Sequence, residues 1–356
     1  MYNHKMIQTR KAIKETAPGK AELQDNVPLP RVRDDYIIAE TKAFALNAAD
    51  YHHIDLLDTA GPVIGCDWSG VVKDVGKDVT RFKPGDEVYG VCHGGNALEP
   101  EDGAFAEIIT SKEHTTMHKP NHLSFEEAAS LGAGLITVVQ VLYSVMKLPL
   151  PSLHGTSGPT VLVYGGSSAT GTIAIQAAKL SGCRVYATCS TNNLDLVKSR
   201  GADAVFDYTK PGCITQLLQA DASITHIIDC IGDENAVHFC SKALSPSGGH
   251  YHSVKAPFPE TFKALRPEDG VIGTTAVAYA MLGETFKFVD GTIFPADEEL
   301  GEFAKKGMLI LEDLVMDGKI QTHPVDVREG GLEGILDGLD ELKNVGVRGK
   351  KIVYRV

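Results

Sequence analysis

Between Tyr36 and His118 the apolar positions fall in short, roughly alternating runs, YIIAETKAFAL, VIGCDWSGVVKDVG, DEVYGV and AFAEIIT, punctuated by Gly61-Pro62, Gly70, Gly76, Pro84-Gly85 and Gly94-Gly95. Successive side chains of a strand point to opposite faces, so a period near two between turn residues predicts a β-rich lobe. After Pro120 the period lengthens. Ser124 with Glu127 three residues on is a capping-box signature ahead of an apolar helical run, LSFEEAASLGAGLITVVQVLYSVM, which is expected to lead into a second lobe. The Pro/Gly/Ser-rich segment 148–159 reads as a surface connector.

Beyond it, short apolar runs alternate with helical ones. VLVY at 161–164 is followed by the turn GGSSATG at 165–171 and the helical TIAIQAAKLSG; RVYATCS, LDLVKSRGA, AVFDY, THIIDCIG and, after the turn PSGG, HYHSV follow. This strand-helix alternation predicts an α/β fold with a doubly wound parallel sheet of the Rossmann kind. Pro257, Pro259 and Pro267 interrupt the text after Tyr251, which points to an unpaired sheet edge there and to a chain that acts as a monomer or homodimer. An amphipathic helix is expected from Glu298 to Met316, and KKIVYRV closes the chain as a strand.

A strand, a glycine-rich turn and a helix in immediate succession aim backbone N–H groups and the positive helix end at one point, which suits a diphosphate. The local pattern, Gly166-Ser167-Ser168-Ala169-Thr170-Gly171, departs from G-x-G-x-x-G, because Ser168 stands where the middle glycine would be. Hydroxyl donors are expected to replace some of the lost backbone approach. About twenty residues further on, where an acidic residue would bind a ribose 2′-hydroxyl, the text reads Cys189-Ser190-Thr191-Asn192-Asn193, with no carboxylate before Asp195. A neutral, donor-rich loop tolerates a 2′-phosphate, so NADPH is expected over NADH.

Charge and composition narrow the partners. With 46 acidic against 34 basic residues and net charge -12, the chain has no basic block for nucleic acid or an anionic membrane. Charges and Gly/Pro interrupt every long apolar stretch, so no membrane span is expected, and MYNHKMIQTRKAIKE lacks the apolar core of a secretory signal. Seven scattered cysteines without a C-x-x-C pair fit unpaired thiols in a reducing cytoplasm.

VIGCDWSGVV, RFKPGDEVYG, DGAFAEII, LSFEEAASL and the passage from VLVYGGSSATG to RVYATCS resemble the medium-chain dehydrogenase/reductase superfamily, zinc-independent quinone-reductase branch. More narrowly, LPLPS, the turn VLVYGGS, the run from ATCS to KSRGA, VFDY, GGHY and PFPE resemble the trans-acting enoyl reductases of fungal polyketide synthases of the lovastatin type. The resemblance implies a GroES-like catalytic domain from 1–130 and 300–356 and a Rossmann NADPH-binding domain over 131–299. It also implies reduction of an α,β-unsaturated thioester on the acyl carrier protein of a polyketide synthase or polyketide-peptide hybrid synthase, in secondary metabolism.

By the same likeness, Ala49, Asp50, Tyr51 and His52, then Ser167, Ser168, Ala169 and Thr170, contact the cofactor. Ser190, Thr191, Asn192, Asn193 and Tyr208 surround the adenosine phosphate, and Val254, Lys255, Val347 and Arg348 complete the set. The acyl pocket falls on Thr137, Val138, Val139, Gln140, Val141, Leu142, Tyr143 and Ser144, and on Thr274, Thr275, Ala276, Val277 and Ala278.

Zinc-dependent relatives carry a G-H-E signature, whereas this chain has Gly65-Cys66-Asp67; Cys66, Asp67 and His93 could be gathered as donors but form no spaced motif, so no metal is expected. Polarisation of the thioester carbonyl then falls to hydrogen-bond donors. Tyr51 and His52 are the candidate proton donors, and Asp50 is expected to be structural or to face the cofactor, since an anion would oppose enolate formation. A free-standing NADPH quinone or enone reductase, and a non-catalytic NADPH-binding scaffold or redox sensor, are the alternative readings.

Overall fold

The computed structural model describes residues 9–56, 60–151, 158–288 and 290–356, so the start of the chain and much of the expected connector, 152–157, lie outside it. It divides into two compact units, one of 1–136, 279–312 and 322–356, the other of 137–278 and 313–321.

The first unit opens with a hairpin that the sequence pattern did not announce, β1 (Thr9–Ala17) and β2 (Lys20–Pro28). There follow β3 (Tyr36–Ala45), α1 (Ala48–Leu56), β4 (Asp67–Val75), β5 (Glu87–Val91), β6 (Ile108–Lys112) and β7 (Thr116–His118). Trp68, Phe44, Phe105 and Ile37 fill the core beneath them. Ser124 caps α2 (Phe125–Ala129) with the reciprocal bonds of a capping box: its Oγ accepts from Glu127 N at 3.1 Å and its N–H donates to Glu127 Oε2 at 2.9 Å.

The expected single helix is interrupted before α3 (Gly132–Val138). Lys351 takes the Ser130 carbonyl at 3.3 Å, the acceptor that the next helical turn would need, and the Ser130 hydroxyl folds back to Glu127 O at 2.7 Å. From Val139 to Val145 the backbone widens into a π-helical turn. The stretch Phe125–Val145 is long and apolar enough to cross a membrane, contrary to expectation, but 78% of its most apolar window is buried inside the protein. That burial is what a core helix shows.

The second unit builds a sheet from β8 (Thr160–Tyr164), β9 (Arg184–Cys189), β10 (Ala204–Asp207), β11 (His226–Asp229), β12 (Gly249–Ser253) and β13 (Val271–Thr274), in the order β10-β9-β8-β11-β12-β13 and parallel throughout. The order reverses on either side of β8, the switch point at which such sheets bind ligands. The helices between are α4 (Ala169–Leu180), α5 (Leu194–Ser199), α6 (Cys213–Ala220), α7 (Glu234–Ala243) and α8 (Phe258–Leu265). β12 is not the unpaired edge that the prolines suggested. Pro257 and Pro259 belong to the loop and first turn of α8, and the chain returns beyond Pro267 as β13, which pairs with β12.

Thereafter come the two-residue strands β14 (Phe286–Lys287) and β15 (Ile293–Phe294), then α9 (Glu298–Met316), which matches its expected limits. β16 (Val325–Arg328), α10 (Gly331–Asn344) and β17 (Lys351–Arg355) follow, and β17 joins β3 antiparallel. The C-terminal text thus returns to the first unit's sheet, in the order β16-β17-β3-β4-β5-β7.

Candidate functional site

In the second unit the turn after β8 is clasped to the next strand: Gly165 N–H donates to Thr188 Oγ1 at 3.1 Å and Gly166 N–H to Thr188 O at 2.8 Å. Gly165 has φ +78°, which disfavours a side chain. A Cβ on Gly171 would lie 2.3 Å from the Gly165 carbonyl oxygen, so only glycine lets helix and turn approach this closely. Ser168 is the N-cap of α4, and its Oγ accepts from Gly171 N at 3.0 Å. Its hydroxyl therefore builds the turn. The amides of Ala169 and Thr170, in the first helical turn, have no intrahelical acceptor and suit an anion, as do the half-buried Ser167 and Thr170 hydroxyls. This cradle fits a dinucleotide diphosphate.

The expected adenosine loop is a 3-10 turn, Thr191–Asn193, following Ser190 at the end of β9. Asn193 Nδ2 donates to Ser167 Oγ at 3.3 Å and to Ser190 Oγ at 3.4 Å, so this loop and the glycine turn are joined. Asn192 is exposed, as is Tyr208, at 45%. The sequence reading missed Asp207, whose carboxylate accepts from the Thr191 hydroxyl. It arrives from β10, which pairs Asp207 with Cys189 in parallel register. Hydrogen bonds from Thr191 and Thr209 hold it below the usual carboxylate range. Val254 and Lys255 follow β12, with the Lys255 side chain 2.7 Å from where a Gly232 Cβ would be.

The two expected acyl segments meet, as Gln140 Nε2 donates to Val277 O at 2.9 Å. Val138, Val139, Val141, Leu142 and Tyr143 are core side chains, and Tyr143 Oη donates to Ala177 O at 3.3 Å. Thr137, Ser144 and Ala276 to Ala278 are half-buried and Thr275 is exposed. Thr274 Oγ1 lies 2.8 Å from His250 Nε2 and 2.9 Å from His252 Nδ1.

In the first unit, α1 carries Ala49, Asp50, Tyr51 and His52. Asp50 Oδ2 accepts from Asn47 N at 2.7 Å, the carboxylate half of a capping box, which fixes the start of the helix. Complete burial pushes the Asp50 carboxyl up to about 7. Tyr51 and His52 are half-buried with ring centroids 4.5 Å apart, and burial raises the Tyr51 phenol. Val347 packs on the core and Arg348 is exposed.

The donors Cys66, Asp67 and His93 do not fit a zinc ion. Asp67 is ion-paired with Lys351 and also accepts from Ala133 N at 2.6 Å and Asn47 Nδ2 at 3.0 Å. Cys66 Sγ lies 3.1 Å from Tyr279 Oη, on whose ring His93 stacks at 3.7 Å. Among the described residues no three His, Cys, Asp or Glu side chains are grouped to hold a metal.

The alcohol dehydrogenase GroES-like domain model matches residues 33–121, and the zinc-binding dehydrogenase model matches 169–270. A trans-enoyl reductase of Aspergillus sclerotiorum is 40% identical over 97% of this chain and 99% of its own length. A trans-enoyl reductase of Alternaria alternata is 38% identical over 98% of this chain and 99% of its own. Among solved structures, the quinone oxidoreductase of Coxiella burnetii superposes with TM-score 0.72 at 23% identity, covering 98% of this chain and 100% of that one, a likeness of fold.

Proposed function

The chain belongs to the trans-enoyl reductases of the medium-chain dehydrogenase/reductase superfamily, and from that premise we propose that it reduces the α,β-double bond of a polyketide thioester held on an acyl carrier protein, with NADPH as reductant. The superfamily uses a nicotinamide cofactor; the choice of NADPH rests on the uncharged Ser190–Asn193 loop. The observation that supports the reading is the cradle after β8, where the Ala169 and Thr170 amides and the Ser167 hydroxyl would receive the diphosphate and Asn193 ties the neighbouring loop to Ser167.

Bound there, the dinucleotide supplies the hydride that the β-carbon accepts. The chain's own residues then hold the substrate and manage one proton. Ala49, Tyr51 and His52 on α1, and separately Val254, Lys255, Val347 and Arg348, would hold the nicotinamide end, and Tyr51 or His52 would give the α-carbon its one proton. Thr137, Gln140, Ser144 and 274–278 take the acyl chain. As enolate charge develops on the thioester oxygen it is met by hydrogen-bond donors, since the Cys66, Asp67 and His93 side chains are committed elsewhere. Seven free thiols suit work beside a synthase in a reducing cytoplasm.

Single-turnover oxidation of NADPH against a series of pantetheine-linked enoyl thioesters, with and without a zinc chelator, tests this. Rapid, chelator-insensitive reduction of the thioesters is expected. Reduction of small quinones in preference to the thioesters would favour a free-standing quinone reductase, and NADPH binding without hydride transfer a scaffold.

A further inference from the structure

The π-helical turn of the second unit carries two polar side chains with hydrogen-bonding capacity to spare. Gln140, 4% exposed, donates from Nε2 to the Val277 carbonyl at 2.9 Å, and among the described residues nothing donates to its Oε1. That oxygen is not sealed in the interior as the orphaned Tyr89 Oη and Thr110 Oγ1 are; it keeps accessible surface. Its orientation is fixed, because turning the amide over would set Oε1 against the Val277 oxygen, one acceptor against another. Ser144 stands four residues on, about one turn along the same line. It is half-buried, and among the described residues its hydroxyl has no hydrogen-bond partner.

The chain after β13, which meets this turn, is held at two points. Thr274 Oγ1 lies 2.8 Å from His250 Nε2 and 2.9 Å from His252 Nδ1, and donates to the Tyr251 carbonyl at 3.4 Å. Three residues on, Val277 O takes the Gln140 amide. Ala276 and Ala278, on either side of Val277, are half-buried and bring only methyl groups, too short to cover the Gln140 oxygen. The acceptor is therefore set in place before any ligand arrives, which spares the cost of ordering it on binding.

We infer that Gln140 selects polyketide chains that carry a free hydroxyl beyond the double bond, by accepting a hydrogen bond from it at Oε1, with the Ser144 hydroxyl pairing with an oxygen of the same chain. The inference rests on the proposed enoyl reduction and on the acyl chain lying along 137–144 and 274–278; it adds the chemistry of the chain that is accepted. A pocket for a fully reduced chain has no use for an acceptor, and covering an unpaired amide oxygen with methylenes costs its lost hydration. A hydroxyl at that point offsets the loss. A ketone there makes matters worse, since it sets a second acceptor against the first. The order of preference at the carbon beside Oε1 is thus hydroxyl, then methylene, then ketone.

Binding of saturated pantetheine thioesters, which cannot accept hydride, tests this by calorimetric titration. Chains of one length carry a racemic hydroxyl, a ketone or nothing on successive odd-numbered carbons beyond the third, where polyketide oxygens fall. At one position the hydroxyl is expected to bind about tenfold more tightly than the plain chain, and the ketone more weakly than either. Gln140→Met, of similar length but apolar, should abolish the hydroxyl preference without weakening the plain chain, and Ser144→Ala should reduce the preference severalfold. The matching enoyl thioesters should follow the same order in kcat/KM with NADPH. No hydroxyl preference at any position, or a preference that survives in every variant that folds, overturns the inference. So does Gln140→Met weakening hydroxylated and plain chains alike, which is what loss of the Val277 bond alone would do. A hydroxyl preference in binding that Gln140→Met removes, with no turnover of any enoyl thioester by the unaltered protein, leaves the inference standing and overturns the proposed reaction instead.

Discussion

Asp67 shows how a single buried carboxylate can be committed to structure. It is fully buried, and its oxygens are divided among Lys351, Ala133 N–H and Asn47 Nδ2. Two charges withdrawn from water cost desolvation that mutual attraction only roughly offsets, so such a pair gives modest net stability, yet removing one member leaves an uncompensated charge. Lys351→Met is therefore expected to destabilise the protein by about 3–5 kcal/mol. The double variant Asp67→Asn, Lys351→Met should recover most of that loss, as read from urea unfolding midpoints. The residue types of this neighbourhood were legible, since Gly65-Cys66-Asp67 departs visibly from the zinc signature. The partners were not. Lys351 and Tyr279 come from far along the chain, and only the pairing of β17 with β3 and the 3-10 turn Ala278–Leu282 bring them in.

At the scale of elements, legibility followed the strength of local signals. The β8–α4 turn announces itself because glycine and capping chemistry act within seven residues, and α9 because its apolar face repeats over five turns. The hairpin β1–β2 was hidden by its composition: LQD in β2 faces mostly outward and TRKAIKETA is rich in charge, although Arg10 and Glu15 turn out to be buried. The four-residue β13 was hidden by the prolines before it. Where the signal is local, a local change should be decisive. In Gly171→Ala the new methyl would meet the Gly165 carbonyl oxygen at 2.3 Å, and neither backbone can retreat without moving the end of α4. Overpacking of this kind costs about 1–3 kcal/mol. The variant is expected to lose NADPH affinity by about tenfold or more, measured by fluorescence titration, because the amides of Ala169 and Thr170 no longer share one focus. Retained affinity would place the diphosphate elsewhere.

Over the whole molecule, net charge -12 sets the field in which an anionic cofactor must bind. A site built from cationic clamps would lose affinity steeply as salt screens them. On the proposed reading the Ser190–Asn193 loop is neutral, the cradle would grip the diphosphate through backbone amides, and Asp207, which accepts from Thr191, would repel a 2′-phosphate. Screening thus acts mainly on repulsion. Between ionic strengths of about 0.01 M and 0.15 M the Debye length shrinks from about 30 Å to about 8 Å, which removes most of the long-range repulsion but little of the amide contacts at short range. NADPH is accordingly expected to bind as tightly or more tightly at the higher salt. Asp207→Asn should tighten NADPH severalfold while leaving NADH nearly unchanged, because NADH has no 2′-phosphate to be repelled. Titration calorimetry with both nucleotides at both salts distinguishes the cases. A marked weakening of NADPH with salt, together with no response to Asp207→Asn, would mean that cations grip the 2′-phosphate, and that the neutrality of Ser190–Asn193 is not what selects the cofactor.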